Sequence, residues 1–200
     1  MEVYLIRHLK TKGNKEGRYI GSTDEPLVYD QELFDTVSHR KEGLPVIEAM
    51  AVSPMKRCRE TASLLFEDMK PLICEDLREM DFGLFENRNY EELKDLPEYR
   101  QWIESRGRTE FPQGEPPEEF LARCKSAFCA QIESFLSEGR QRTAFVVHGG
   151  VIMLLMALFS GEEKDLYDWQ VENCGGYRVT IERESWLQGN HLFKEYERLI

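Results

Sequence analysis

No C-x-x-C pair occurs in this chain, and its five cysteines (Cys58, Cys74, Cys124, Cys129 and Cys174) are odd in number and sit mostly within apolar patterns. That argues against a disulfide framework and for reduced core thiols, as in the cytoplasm. Long apolar runs are missing too. The longest, Val151 to Phe159, has nine residues, about half of the roughly 20 that a membrane span requires, so it reads as a core helix. The "VYLI" before Arg7 is too short for the apolar part of a secretory signal. Excess positive charge is absent: 26 basic against 37 acidic residues leave a net charge of -11, which disfavours nucleic acid and anionic membranes as partners. The chain has no H-x-H, H-E-x-x-H or His/Cys cluster, and no G-x-G-x-x-G, Walker-type or G-x-S-x-G segment. Neither a metal nor a nucleotide cofactor is expected. Repeats and low-complexity tracts are lacking, and the one loop with a breaker cluster is Phe111 to Glu119, "FPQGEPPEE". Residues 1–200 therefore read as a single domain.

What is present is an alternation of strands and helices. Residues 2–7 and 143–147 are short continuous apolar runs, as in strands buried on both faces, and Val46 to Ser53 is a weaker one. After it, Ser53 is placed to cap and Pro54 to open a helix in which Met55, Cys58, Ala62 and Leu65 recur at helical spacing. The clearest helix runs from Pro117 to Leu136, with Phe120, Leu121, Cys124, Ala127, Phe128, Ile132, Phe135 and Leu136 on one stripe. Near the end, "GYRVTIERESWLQGNHLFKEYE" alternates about a Gln-Gly-Asn turn signal, which predicts a two-stranded antiparallel hairpin. These elements sum to an α/β fold, a three-layer α/β/α sandwich with a mostly parallel central sheet and an antiparallel edge.

The polar residues that interrupt these runs fall in a pattern. Arg7-His8 ends the first strand, Arg57 lies in the first helical turn after the second, and His148-Gly149-Gly150 ends the strand 143–147. Ligands of parallel sheets bind beyond the carboxyl ends of the strands, so these positions should converge on one edge. Two imidazoles, two guanidiniums and two helix starts there would make a local positive pocket on an acidic protein. Its natural guest is a phosphate. Taken singly, each residue reads as well as a structural one: a hydrogen-bonded strand-end histidine, a solvated helix arginine, a tight turn. His39 and His191 lie in polar surroundings and read as surface residues.

With "LIRHLKTKGNKEGRYIGSTDEPL", "SPMKRCRETA", "LREMDFG" and "FVVHGGVI" in that order, the chain resembles the histidine phosphatase superfamily, also called phosphoglycerate mutase-like, from residue 3 to about residue 180. Its length, "LREMDFG" and the "PQGE" loop look most like the branch of α-ribazole phosphatases and related small-molecule phosphatases. The resemblance implies a phosphohistidine nucleophile at His8. It implies that Arg7, Arg57 and His148 hold the phosphoryl oxygens, helped by Asn14 and the Gly149 N–H, and that Glu79 donates a proton to the leaving oxygen, with Asp81 a weaker rival. Thr11, Ile20 and Gly21 fall within the matched opening segment at the substrate side.

Three departures stand out: Leu9 replaces a glycine, Lys10 replaces an acid, and Ile20 replaces a polar residue. Leu9 either narrows the site or joins the core, and Lys10 adds charge at the mouth if it points there. Glu79 has a plainer reading as an ion-pair partner of Arg78 or Arg88, and Phe82, Phe85, Tyr90, Tyr99 and Trp102 as core packing or as a platform for a ring. The expected activity is hydrolysis of a small phosphate ester, with α-ribazole 5'-phosphate as one candidate. A phosphoglycerate mutase primed by 2,3-bisphosphoglycerate and a non-catalytic phospholigand binder are the alternatives. The terminal hairpin offers an edge for a homodimer.

Overall fold

Alternation along short strands decides which side chains meet which layer. The computed structural model describes residues 1–105, 107 and 109–199. Its elements are β1 (Glu2–Arg7), α1 (Lys12–Lys15), α2 (Gln31–Gly43), β2 (Ala49–Val52), α3 (Lys56–Leu65), β3 (Leu72–Ile73), α4 (Tyr90–Leu93), α5 (Pro97–Glu104), α6 (Pro117–Ser137), β4 (Arg142–Val147), α7 (Gly149–Phe159), β5 (Gly176–Thr180), α8 (Arg183–Leu187) and β6 (Glu195–Leu199). The sheet order is β3-β2-β4-β1-β5-β6. Strands β3, β2, β4 and β1 run parallel, while β5 is antiparallel to β1 and β6 to β5.

Val3, Leu5, Phe145 and Val147 pack on one face against the apolar sides of α6 and α7. Tyr4, Ile6, Ala144 and Val146 face the opposite layer, with Leu33 and Val37 of α2 and Cys58 and Ala62 of α3. Because helices cover both faces, β1 and β4 need unbroken apolar runs, as their sequences have. Helix α6 begins without a side-chain cap, a shortfall of about 1 kcal/mol. Burial of Phe120, Cys124, Phe128, Ile132, Phe135 and Leu136 outweighs it, at about 1.5–3 kcal/mol for each large side chain. Among the described residues no helix is long and apolar enough to cross a membrane.

Four expectations change in detail. The strand predicted from Val46 shortens to β2, with Val46 80% exposed. The terminal strands pair antiparallel as predicted, but α8 joins them instead of a tight hairpin; Gly189, at φ +90°, ends that helix. Leu121, predicted on the buried stripe of α6, is exposed at 38%. His191 is half-buried and stacks on Trp186, with ring centroids 4.6 Å apart. The aromatic residues between β3 and α6 form a separate small core. Phe85, Tyr99 and Trp102 are buried there, Phe82 lies 4.8 Å from Phe111, and Tyr90 is exposed. Most of that group is packing.

Candidate active site

Strand register assembles the site. Arg7 is level with Val147 in the parallel β1–β4 ladder, and the His8 N–H donates to Val147 O at 3.0 Å. The next residue of each strand is a histidine, so His8 and His148 stand together, ring centroids 5.3 Å apart and planes at 66°. Val52 is level with Val146, which brings Ser53 to the same edge before α3 returns with Arg57. His8, Arg57 and His148 are 3%, 0% and 0% exposed.

His8 Nδ1 lies 2.7 Å from Leu9 O. A carbonyl only accepts, so Nδ1 carries the proton and Nε2 keeps its lone pair. Burial, then the charges of Arg57 and Arg7, hold the ring well below its ordinary pKa of 6.5, so it stays neutral at pH 7. At His148 the logic reverses. Arg57 Nε, an obligate donor, lies 3.3 Å from Nδ1, and Nε2 lies 2.7 Å from Ser53 Oγ. Nδ1 therefore accepts and Nε2–H donates to Ser53. Burial, Arg57 and His8 push this pKa well down too. With no ligand beside it, His148 is therefore neutral at pH 7, and the positive charge of the site rests on Arg7 and Arg57.

Arg57 is spread over three acceptors: His148, Thr23 O at 2.7 Å and Gly21 O at 2.8 Å. Glu86 holds the same loop from the other side, accepting the N–H groups of Gly21 at 2.8 Å, Thr23 at 2.9 Å and Phe82 at 3.2 Å. Both backbone groups of Gly21 are thus engaged in scaffolding. Arg7 donates through Nη1 to Val171 O at 2.7 Å and lies against Gly149, where an added Cβ would stand 3.4 Å from Nε.

Glu79 is 7% exposed and makes no ion pair with Arg78 or Arg88. Its Oε2 accepts the Gly150 N–H at 2.9 Å and its Oε1 the Met80 N–H at 3.1 Å. Burial raises its pKa above the ordinary 4.5, against the opposing pull of those N–H groups, Arg57 and Arg7. Arg123 of α6 fixes the backbone behind it, donating to Arg78 O at 2.8 Å and Glu79 O at 3.1 Å while pairing with Glu115 at 2.5 Å. Asp81 is occupied in a turn, accepting the Gly83 N–H at 2.8 Å. A cleft of about 410 Å³ adjoins Glu79, lined by Gly21, Met55, Arg78, Asp81, Gln113 and Glu119.

The opening segment mostly supports the site from behind. Thr11 caps α1, its Oγ1 accepting the Asn14 N–H at 3.2 Å while Asn14 Oδ1 accepts the Thr11 N–H at 3.2 Å. Ile20 is buried over Gly13, filling the place where a Cβ would lie 2.4 Å away. Leu9 is 2% exposed in the core beside Leu27, Leu33 and Cys58, and its φ is not positive, so a side chain there costs the site nothing. Lys10 turns to Glu32 at 2.7 Å on the surface. Among the described residues no group of three or more His, Cys, Asp or Glu side chains is placed to hold a metal ion.

Sequence reasoning missed Ser53, Glu86, Arg123 and Gly150. The position of Ser53 before Pro54 predicts a helix cap; its hydroxyl instead meets His148, with the Met55 N–H 3.5 Å away. Gly150 carried a usable signal in the doubled glycine. A Cβ there would stand 2.4 Å from Glu79 Oε1, so only glycine lets the carboxyl sit on the start of α7. Were Glu79 the proton donor that the resemblance implies, Gly150→Ala should push it aside and lower kcat about 10²-fold on an alkyl phosphate, with a circular-dichroism spectrum like that of the parent. Unchanged kcat would show that turnover does not depend on Glu79 being held over the start of α7.

Residues 3–190 match the profile of the histidine phosphatase superfamily (branch 1). The probable phosphoglycerate mutase GpmB of Klebsiella pneumoniae (strain 342) is 30% identical over 196 residues, covering 94% of this chain and 88% of that protein. The alpha-ribazole phosphatase from Shigella flexneri shares the fold, with a TM-score of 0.77 at 24% identity over 91% of each chain. A phosphoglycerate mutase from Thermus thermophilus has a TM-score of 0.67 at 27% identity, over 100% of this chain and 99% of that one.

Proposed function

The chain belongs to the histidine phosphatase superfamily (branch 1), and from that premise we propose that it is a metal-independent phosphomonoesterase acting on a small phosphorylated metabolite through a phosphohistidine at His8. The observation that carries this reading is the His8 ring: Nδ1–H committed to Leu9 O and a lone pair on Nε2 beside His148 and two arginines. A neutral imidazole is a competent nucleophile near pH 7.

In this reading His8 Nε2 attacks phosphorus and the ester P–O bond breaks. The departing oxygen takes the proton of Glu79. Charge spread over the equatorial oxygens is met by Arg7, Arg57 and His148; a dianion beside His148 reverses the electrostatics that depress its pKa, so it takes up a proton at Nδ1 and releases Arg57 Nε to the phosphoryl oxygens. Water then attacks the phosphohistidine, the Glu79 carboxylate accepts the water's proton, and the P–N bond breaks to release phosphate and His8. A raised carboxyl pKa suits both halves of this cycle. A protein that only bound phospholigands would need the cations but not a buried acid.

The same residues serve a mutase, and the 30%-identical relative named as one keeps that second reading in play. Mutase chemistry must keep water from the phosphohistidine. The cleft beside Glu79 is instead lined by exposed Arg78, Gln113 and Glu119, which favours hydrolysis. The test is a phosphomonoester panel that includes α-ribazole 5'-phosphate and 3-phosphoglycerate, with and without 2,3-bisphosphoglycerate and EDTA. Hydrolysis that ignores EDTA, with an acid-labile, base-stable phosphoenzyme, is the expected result. Primed transfer between phosphoglycerate hydroxyls that outruns hydrolysis would replace phosphatase with mutase.

A further inference from the structure

The tautomer of His8 depends on where Leu9 O stands; that carbonyl belongs to the next peptide, but both it and the His8 ring are carried by the peptide joining His8 to Leu9. Both ends of this peptide are held by side chains from distant parts of the chain. At one end, the Leu9 N–H donates to Thr61 Oγ1 at 2.9 Å. At the other, His8 O accepts Asn173 Nδ2 at 3.0 Å and the Cys174 N–H at 3.2 Å.

Thr61 is fully buried on α3, and its hydroxyl proton is committed to Arg57 O at 2.6 Å. Its oxygen is thereby fixed as the acceptor for Leu9. One side chain thus ties the peptide after His8 to the helical turn that carries Arg57. Asn173 makes a second tie. Its amide also reaches Asn14 Oδ1 at 3.3 Å, an atom already set as an acceptor by the Thr11 N–H, which turns the Asn14 NH₂ away from Thr11. The turn that presents Asn173 holds Cys174 at φ +62°, a conformation that non-glycine residues adopt at a cost.

We propose that Thr61 and Asn173 are positioning residues: they clamp the His8–Leu9 peptide, the backbone that carries both the His8 ring and the Leu9 carbonyl it bonds, and so fix the tautomer and aim of the ring. The kinetic consequences rest on the reading of His8 as nucleophile, whereas the tautomer does not. A plainer role exists for Thr61, since a helix threonine commonly bonds the carbonyl four residues back and fills space. Thr61→Val keeps the shape and removes the acceptor, so it separates the two roles.

The experiment uses uniformly ¹⁵N-labelled full-length chain and long-range ¹H–¹⁵N spectra of the His8 ring, beside steady-state kinetics with p-nitrophenyl phosphate. In the parent, His8 should show a single Nδ1–H tautomer. In Thr61→Val and Asn173→Ala, Nε2–H signals should appear. In both variants kcat should fall about 10²-fold, the scale of a misaligned reacting group, with KM and the inhibition constant of inorganic phosphate shifting far less. Thr61→Ser should restore both readings. Folded Thr61→Val and Asn173→Ala proteins that keep the parental tautomer and kcat would overturn the clamp. Should Thr61→Val fail to fold, Asn173→Ala, at a half-buried turn, decides by the same readings. A tautomer change in a chain that hydrolyses no phosphate ester would sustain the clamp and remove the proposed function instead.

Discussion

His8→Ala should lose p-nitrophenyl phosphate turnover by about 10⁴-fold or more, the scale seen when a covalent nucleophile is deleted. The size of the loss follows from what stays behind. On the proposed reading Arg7, Arg57 and His148 would still hold a phosphate in the variant, but water would have to attack directly, with no covalent step to divide the barrier. The fold should survive, because the ring's hydrogen bond is to its own neighbour Leu9, and β1 keeps its full ladder to β4 and β5. Inorganic phosphate should bind with similar affinity and no phosphoenzyme should form. Turnover in His8→Ala within tenfold of the parent would end the phosphohistidine mechanism whatever the fate of the other residues.

Glu79→Gln should divide substrates by leaving group. With an alkyl phosphate, kcat should drop by about 10²–10⁴-fold, the usual worth of a positioned general acid. With p-nitrophenyl phosphate, whose leaving group departs without a proton, the loss of the first step should be small. The pH profile carries a second signature. Burial raises the Glu79 pKa above 4.5, so the parent's alkyl phosphatase activity should fall as pH rises through that raised value, and this limb should vanish in Glu79→Gln. Stability is linked with a definite sign: the folded state binds the Glu79 proton more tightly than the unfolded chain does, so stability falls as pH rises from the unfolded pKa through the raised folded one. The Tm of Glu79→Gln minus that of the parent should therefore grow between pH 4 and pH 8. Equal losses on both substrates, with no change in the pH profile, would leave Glu79 as scaffold and put the acid elsewhere.

Much of the architecture is legible in the residues because burial on two faces demands unbroken apolar strands, and burial on one demands a helical stripe. Residues 2–7 and 143–147 appear as β1 and β4, and the stripe of α6 lies within one residue of its predicted end. The terminal pair shows the limit. Alternation predicts two antiparallel strands correctly, but "RESWL" forms α8 because Glu182 caps it, accepting the N–H groups of Glu184 and Ser185 at 3.2 Å and 2.6 Å, and Trp186 is buried. Local turn chemistry is outweighed by tertiary packing of one large side chain.

At the site, the chain alone determined which residue types end which strands: Arg7-His8 at the end of β1, Arg57 after β2, His148 and two glycines after β4. Period and composition are local properties, and they suffice to send these groups to one edge of a parallel sheet. Only the tertiary structure decided their chemical states. It chose the proton on His8 Nδ1, the neutral form of His148 against Arg57, the burial that raises Glu79, and the diversion of Thr11, Ile20 and Lys10 to support and surface. Each depends on partners distant in the chain or on exclusion of water, as in the Leu9–Thr61 and Ser53–His148 contacts that span 52 and 95 residues, and a protonation state answers to its surroundings in space, which spacing along a chain does not encode.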